Sequence, residues 1–166
     1  MREMPLTPPL GRAELLVDGP RLTARRLGGL GQTLISGDLE AAVASLAPGA
    51  PILGFHALAP VGAHGLRIGR SSALLVTPSP LAAPEGWRDG WCATSVDDGW
   101  AAVEVSGEGA SHALMQATST DPASGSPSAA ALVFGVRGLL ARTSAGFRVH
   151  VEAPWIETLI AWLDGI

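Results

Sequence analysis

The sequence predicts an α+β fold made of two similar αβ repeats, each with an antiparallel sheet and packed helices. The main observation is an internal duplication: Ser36-Gly37 and Ser106-Gly107 stand 70 positions apart, and each pair leads into an alanine-rich stretch. Apolar runs of strand length, bounded by Gly, Pro and Asp, fill both halves. Farther along, a second set of residues recurs 75 positions later, with Val76, Trp87, Asp89 and Gly90 matching Val151, Trp162, Asp164 and Gly165.

The duplication divides the chain into three parts. Residues 1–20 contain Pro5, Pro8, Pro9 and Pro20. Because proline neither continues a helix nor donates to a sheet, this segment is predicted to be an N-terminal arm. Residues 21–90 are the first αβ repeat and residues 91–166 the second. A chain of 166 residues can bury enough surface for two small units that share a core.

In the first repeat, two short strands are predicted within residues 21–35, on either side of a glycine-rich turn. Ser36-Gly37-Asp38 is typical of a helix start and predicts a helix over about 39–46. A strand at about 52–58 and a hairpin that turns at Gly69-Arg70-Ser71 follow. The prolines between 78 and 84 then interrupt the closing helix of this repeat.

In the second repeat, residues 91–96 and 100–105 are predicted to pair as a hairpin around Asp97-Asp98-Gly99. A helix capped by Ser106 follows over about 107–117, and then a loop over 118–129. Two strands are predicted at 131–140 and 147–151. The last segment predicts an amphipathic helix packed on a sheet, with apolar residues at helical spacing: Trp155, Leu159, Trp162 and Leu163.

The composition argues against several classes of function. Hydrophobic residues make up 47% and charged residues 16%, so part of the surface is expected to meet a partner. The formal net charge is −4 and the arginines are scattered, which gives no basic stripe for nucleic acid. The single Cys92 suits a reducing compartment, and no apolar run reaches the ~18 residues of a membrane span. We therefore expect a cytoplasmic protein that binds neither nucleic acid nor membranes.

No set of residues forms a recognisable catalytic motif. His56 and His64 lack the spacing and the companion ligands of a zinc site. His150 lies between two valines, so it is expected on the opposite face of its strand, in a solvent-facing or cross-strand position. Asp97-Asp98 precedes Gly99 and is typical of a tight turn rather than of an acid–base pair. The sequence therefore predicts no catalytic residue and no metal site in this chain.

Five tryptophans in a chain with three phenylalanines indicate roles in packing or binding. Large aromatic side chains dominate cores and act as anchors in interfaces. Trp162 has apolar neighbours at helical spacing and is predicted to lie in the core. Trp87, Trp91 and Trp155 lie at the edges of predicted elements and are the candidate interface residues.

Three groups of residues resemble the gamma subunit of heterotetrameric sarcosine oxidase. They are Leu66-Arg67-Ile68-Gly69-Arg70 with Leu74-Leu75-Val76, the run from Asp97 to Gly107, and Phe147-Arg148-Val149-His150-Val151 with Trp155 and Ala161-Trp162-Leu163. That subunit is similar in fold to the folate-binding aminomethyltransferases of the glycine-cleavage T-protein group. The resemblance covers about residues 25–165.

The resemblance implies a small accessory subunit without catalytic residues or bound cofactors of its own. It implies a complex in which the large alpha subunit and the other subunits carry FAD, FMN, NAD, zinc and tetrahydrofolate. Such a complex oxidatively demethylates sarcosine or a related N-methyl amine and passes the one-carbon unit to tetrahydrofolate.

Two other functions are compatible with the sequence. A stand-alone folate-binding or aminomethyltransferase-like protein would need a carboxylate to hold the pterin in a cleft between the repeats, and Glu104, Asp97 or Glu152 could supply it. The chain could also be a small interaction module with no metabolic role.

Overall fold

The computed structural model describes residues 13–166, which form two β-sheets packed face to face. The helices in these residues are α1 (Leu39–Leu46), α2 (Ala110–Ala117) and α3 (Ile156–Asp164), and a 3₁₀ turn over Ala153–Trp155 leads into α3. The strands are β1 (Ala13–Asp18), β2 (Thr23–Leu27), β3 (Gly31–Gly37), β4 (Ile52–Leu53), β5 (His64–Gly69), β6 (Ser72–Thr77), β7 (Trp91–Ser95), β8 (Trp100–Ser106), β9 (Ala130–Val133), β10 (Val136–Thr143) and β11 (Gly146–Glu152).

Each sheet combines one repeat with a strand exchanged from the other. The five-stranded sheet has the order β4-β5-β6-β3-β7, and the six-stranded sheet has the order β9-β10-β11-β8-β2-β1. β2 precedes β3 in the chain but pairs with β8, whereas β7 precedes β8 but pairs with β3. Only β4 and β5 are parallel among the paired strands of the described residues. The two sheets therefore share one strand order, and β1 adds a sixth strand to one of them.

Three apolar clusters join the layers. One joins α1 to Leu75 of β6, and another joins α2 and α3 to Val149 of β11. The third lies between the sheets and joins Leu74 of β6 to Leu139 of β10. Leu74 and Leu75 serve different clusters because successive side chains of a strand point to opposite faces. The layers therefore follow the order helix, sheet, sheet, helix, which confirms the predicted α+β fold with two repeats.

The Ser-Gly pairs mark the same junction in both repeats, where a strand gives way to a helix. Gly37 and Gly107 have φ angles of +102° and +103°, in the left-handed region. A Cβ at Gly37 would overlap the carbonyl oxygen of Gly90, and a Cβ at Gly107 would overlap that of Arg21. These two carbonyl groups lie just before β7 and β2. Glycine is needed at both junctions because an exchanged strand begins against the turn.

Several predicted elements are confirmed with small changes of boundary. The helix predicted over 39–46 is α1, and the side chain of Asp38 accepts a hydrogen bond from the N–H of Ala41 at 3.0 Å. The predicted hairpin is β5 and β6. Residues 78–90 contain no helix, so only the second repeat has a closing helix, as the prolines predict. None of the helices in residues 13–166 is long and apolar enough to cross a membrane.

Other predictions about the elements were wrong. The strands on either side of Asp97-Asp98-Gly99 exist, but β7 and β8 lie in different sheets, so the turn is a crossover and not a hairpin. The strand predicted over 131–140 is divided into β9 and β10 by a two-residue turn at Phe134-Gly135, where both φ angles are positive. The strand predicted over 52–58 is limited to Ile52–Leu53.

The N-terminal segment and the start of α2 also differ from expectation. Ala13–Asp18, predicted as part of the arm, is strand β1 and pairs antiparallel with β2. The rest of the predicted arm, residues 1–12, lies outside the described residues. Ser106 ends β8 and does not cap α2, which begins after Gly109 and has no side-chain cap among the described residues.

The later part of the duplication corresponds less closely than the sequence predicts. Ser72 pairs with Ser36, and Gly146 pairs with Ser106, so β6 and β11 are related by 74 positions rather than 75. Val76 therefore corresponds to His150. Because side chains alternate along a strand, a shift of one position places them on opposite faces of the sheet. Likewise, Trp87 lies in the segment before β7, whereas Trp162 lies on α3.

Candidate functional site

Two of the three predicted interface tryptophans are exposed. Trp87, just before β7, is 69% exposed, and Trp155, just before α3, is 44% exposed. Trp91 is only 2% exposed and packs in the cluster beneath α1, so it is a core residue in this structure. The interface roles of Trp87 and Trp155 stay predictions.

Trp162, predicted for the core, lies at the surface and is 54% exposed. Its indole stacks on Phe134, with ring centroids 5.2 Å apart and an angle of 7° between the planes. The buried face of α3 consists instead of Ile156, Leu159 and Leu163. Trp162 follows Trp155 by seven residues, almost two helical turns, so the two indoles lie along the same flank of this C-terminal segment.

A polar cluster interrupts the apolar layer between the sheets. The imidazole of His150 on β11 is fully buried, and its Nδ1 lies 2.8 Å from Oε1 of Gln32 on β3. The Nε2 of Gln32 donates to the carbonyl oxygen of Trp100 at 3.0 Å, so the amide oxygen faces the imidazole. His150 Nδ1 therefore carries the proton and donates a hydrogen bond to Gln32 Oε1 on the facing sheet.

A second buried imidazole, that of His64 on β5, belongs to the same layer. Its Nδ1 donates to the carbonyl oxygen of Gly62 at 2.8 Å. Burial lowers the pKa of His64, and the hydrogen bond to Gly62 opposes that effect. Burial also lowers the pKa of His150 to about 3; the positive charge of Arg148, and that of His64 when it is protonated, act in the same direction. Both imidazoles are therefore neutral near pH 7.

The charged neighbours of this cluster are held in structural contacts. Arg148 Nη2 lies 3.4 Å from Glu104 Oε2 on the adjacent strand. The carboxylate of Asp97 accepts hydrogen bonds from the N–H of Gln32 and from the hydroxyl of Ser95. Two of the three carboxylates considered above for folate, Glu104 and Asp97, thus have partners within the protein. The cluster joins the two sheets, and His150 is a buried link between the sheets rather than a solvent-facing residue.

A cleft of about 280 Å³ opens on the other side of the six-stranded sheet, between the β1–β2 turn, the start of α2 and the end of α3. Its lining combines the apolar Leu22 and Leu163 with the polar His112 and Asp164. The Nε2 of Gln116 donates to Nε2 of His112 at 3.2 Å. None of the three carboxylates considered for folate binding lines this cleft.

Sequence reasoning missed Gln32, which links β3 to β11 and β8. The signal is a single amide within an apolar strand, in alternation with Leu34 and therefore on the same face. A buried amide needs partners, so such a residue predicts a polar group on the facing sheet. Within residues 13–166, no group of three or more His, Cys, Asp or Glu side chains is placed to bind a metal ion.

The comparisons with known proteins give one informative likeness. No protein-family model matches the sequence, and no curated protein sequence matches it. Among solved structures, the chain is similar to a chain of the heterotetrameric sarcosine oxidase from Corynebacterium sp. U-96, which was solved in complex with pyrrole 2-carboxylate. The TM-score is 0.71 at 20% sequence identity, and the likeness covers 90% of this chain and 85% of that chain. The two chains therefore share their fold over almost their full lengths.

Proposed function

We propose that this chain is the gamma-type accessory subunit of a multisubunit flavoenzyme similar to sarcosine oxidase. The complex oxidatively demethylates sarcosine or a related N-methyl amine in the cytoplasm, with tetrahydrofolate as the one-carbon acceptor. A large alpha subunit and the other subunits hold FAD, FMN, NAD, zinc and tetrahydrofolate. This chain contributes packing surface and no catalytic residue.

The observation that carries the proposal is the likeness in fold to a chain of heterotetrameric sarcosine oxidase over 90% of this chain. The two chains are of similar length, which favours a small subunit over a large catalytic one. Exposed indoles at Trp87 and Trp155 offer the aromatic anchors that subunit interfaces use. Each buried histidine donates a hydrogen bond from Nδ1 to a neighbouring group of the protein, which supports a packing role for both.

The test is purification of the chain from its native host through a C-terminal tag. We expect a complex several times larger than 16.9 kDa, with the visible absorbance of flavin and with sarcosine or N-methyl amine oxidase activity. A colourless particle of the mass of the single chain would contradict the proposal. Mass spectrometry of the eluted subunits separates a flavoenzyme of another kind from a sarcosine-oxidase-like one.

A stand-alone folate-binding protein is the second candidate, and the cleft beside His112 is the observation that favours it. Titration of the isolated chain with tetrahydrofolate, followed by intrinsic tryptophan fluorescence, tests this function. Saturable binding that His112→Ala weakens would support it. Binding that His112→Ala leaves unchanged would place any folate site elsewhere on the chain.

A further inference from the structure

The two sheets differ at one edge, although they share a strand order. In the six-stranded sheet, β1 covers the outer edge of β2. In the five-stranded sheet, β7 takes the place of β2, and no strand of residues 13–166 follows it. An uncovered edge presents unpaired backbone N–H and C=O groups to any extended chain that reaches it.

The hydrogen bonds identify which backbone groups of β7 point outward. The N–H of Val96 donates to the carbonyl of Gln32, and the N–H of Asp38 donates to the carbonyl of Gly90. Between these two bonds the register with β3 is regular. Because bonded pairs alternate in an antiparallel ladder, Ala93 and Ser95 direct their N–H and C=O groups away from β3.

The same alternation in the other sheet shows what fits there. Ser36 faces Cys92 and Ser106 faces Thr23, so Ala93 corresponds to Ala24. Ala24 faces Val17 of β1, and the bond from the N–H of Gly19 to the carbonyl of Leu22 places this pair among the bonded ones. The outward groups of Ala24 are therefore paired with a strand, whereas those of Ala93 pair with no strand of residues 13–166.

The backbone groups at the start of β7 are paired within this chain, and this limits the length of the unpaired edge. Arg88 and Trp91 exchange two backbone hydrogen bonds of 2.9 and 3.0 Å. The neighbouring Trp87 packs against Gly37 and is mostly exposed. The part of β7 with no paired strand in residues 13–166 thus extends from Cys92 to Ser95, and the exposed indole of Trp87 lies near its start. The side chain of Ala93 packs beneath α1, and this residue is only 8% exposed.

We propose that the outer edge of β7 receives an extended segment of the partner subunit, which adds antiparallel as a sixth strand. This inference rests on the proposed function, because it requires a second kind of polypeptide in the complex. The segment places an aliphatic side chain opposite Ala93, as Val17 is placed opposite Ala24, and packs beside Trp87. Backbone hydrogen bonds supply the affinity, and the small Ala93 restricts what packs opposite it.

Hydrogen–deuterium exchange at single-amide resolution tests the proposal without a mutation. The isolated chain is compared with the native complex purified through the tag. The amides of Ala93 and Ser95 should exchange rapidly in the isolated chain and about 100-fold more slowly in the complex. The amides of Cys92 and Thr94, which face β3, should be slow in both samples. The amide of Leu132, on the edge strand β9, should be fast in both.

A variant adds a second readout. Ala93→Pro removes the outward N–H and leaves the ladder between β7 and β3 intact, and it should lower recovery of the partner at least tenfold. Leu132→Pro is the control for loss of an outward N–H, since Leu132 lies at an outward position of the edge strand β9, and recovery should be unchanged. Thermal unfolding followed by circular dichroism verifies that each variant is folded.

Four outcomes distinguish this inference from the proposed function. Protection of Ala93 and Ser95 in a hetero-oligomeric complex supports both. If the complex is a hetero-oligomeric flavoenzyme but both amides still exchange rapidly, the proposed binding at the edge of β7 is wrong and the proposed function is not affected. If both amides already exchange slowly in the monomer, the proposed binding at the edge of β7 is wrong, because the chain itself then covers that edge. Protection only in a homodimer overturns the proposed occupant together with the proposed function.

Discussion

The six-stranded sheet is covered more completely than the five-stranded sheet, although one strand order builds both. α2 and α3 pack on the outer face of the former, whereas α1 packs on the latter and residues 78–90 contain no closing helix. β1 covers one edge of the former, and no strand of the described residues covers the matching edge of the latter. Duplication therefore explains the shared core, while the features that differ lie on the outer faces and edges of the sheets.

The largest expected effect tests whether both repeats depend on the same junction. Gly37→Ala and Gly107→Ala should each lower the free energy of unfolding by about 4 kcal/mol. Each substitution adds a Cβ that overlaps a backbone carbonyl oxygen, at a φ that L residues rarely adopt. Urea unfolding followed by circular dichroism measures the loss.

Gly49→Ala is the control for the junction glycines. Gly49 also has a positive φ, +83°, but nothing lies within 4 Å of a Cβ built there. Gly49→Ala should therefore lower the free energy of unfolding by only about 1 kcal/mol, which is the cost of the backbone conformation alone. Equal losses at all three positions would show that the close approach of the exchanged strands does not matter.

The second prediction concerns the layer between the sheets and depends on pH. The pKa of His150 is about 3 in the folded protein, below the ordinary value of 6.5. Between these values the unfolded chain binds a proton that the folded chain does not. The free energy of unfolding should therefore fall as the pH decreases below about 6.5, by about 1.4 kcal/mol per pH unit for this histidine. The loss reaches about 3 kcal/mol at pH 4.

A pair of variants compares the two sheets at this position. His150→Gln should reduce the pH dependence of the free energy of unfolding by the equivalent of about one proton. A smaller dependence of the same sign should remain, because the pKa of His64 is also lowered. Val76→Ala, at the corresponding position of the five-stranded sheet, should cost about 2 kcal/mol equally from pH 8 to pH 4. An unchanged slope in His150→Gln would contradict the assignment of the buried neutral imidazole.

Local signals in the sequence predicted the elements, and pairing between distant elements decided the rest. Asp38 before an alanine-rich run located α1, because capping involves residues three positions apart. The segment around Asp97-Asp98-Gly99 has the residues of a hairpin turn, yet β7 pairs with β3, more than 50 residues earlier. A turn residue reports the backbone angles and not the sheet that the next strand joins.

The candidate site shows the same division. Exposure of Trp87 and Trp155 followed from their positions at the edges of elements. Trp91 has the same kind of position but is buried, because the exchanged strand places it under α1. Burial of His150 opposite Gln32 depends on the packing of two sheets, and the two residues are 118 positions apart. The lone amide of Gln32 predicts a buried polar partner but does not identify it as His150.

The third prediction separates an interface residue from a folding residue on one flank of the C-terminal segment. Trp155→Ala should weaken assembly with the partner by about 2 kcal/mol, roughly 30-fold in Kd, with little change in the stability of the isolated chain. Trp162→Ala should lower stability by about 1 kcal/mol, because it removes the stacked pair with Phe134. Unchanged co-purification of the partner with Trp155→Ala would reject its interface role.

The smallest expected effect lies at the two helix starts. Asp38→Ala removes the hydrogen bond to the N–H of Ala41 and should cost about 1 kcal/mol. Glu108 stands 70 positions later, but Gly109 intervenes before α2, and that helix has no side-chain cap in the described part of the chain. Glu108→Ala should therefore change the free energy of unfolding by less than about 0.5 kcal/mol. Equal losses in the two variants, measured by urea unfolding, would mean that the helices begin alike and that the extra glycine has no effect on capping.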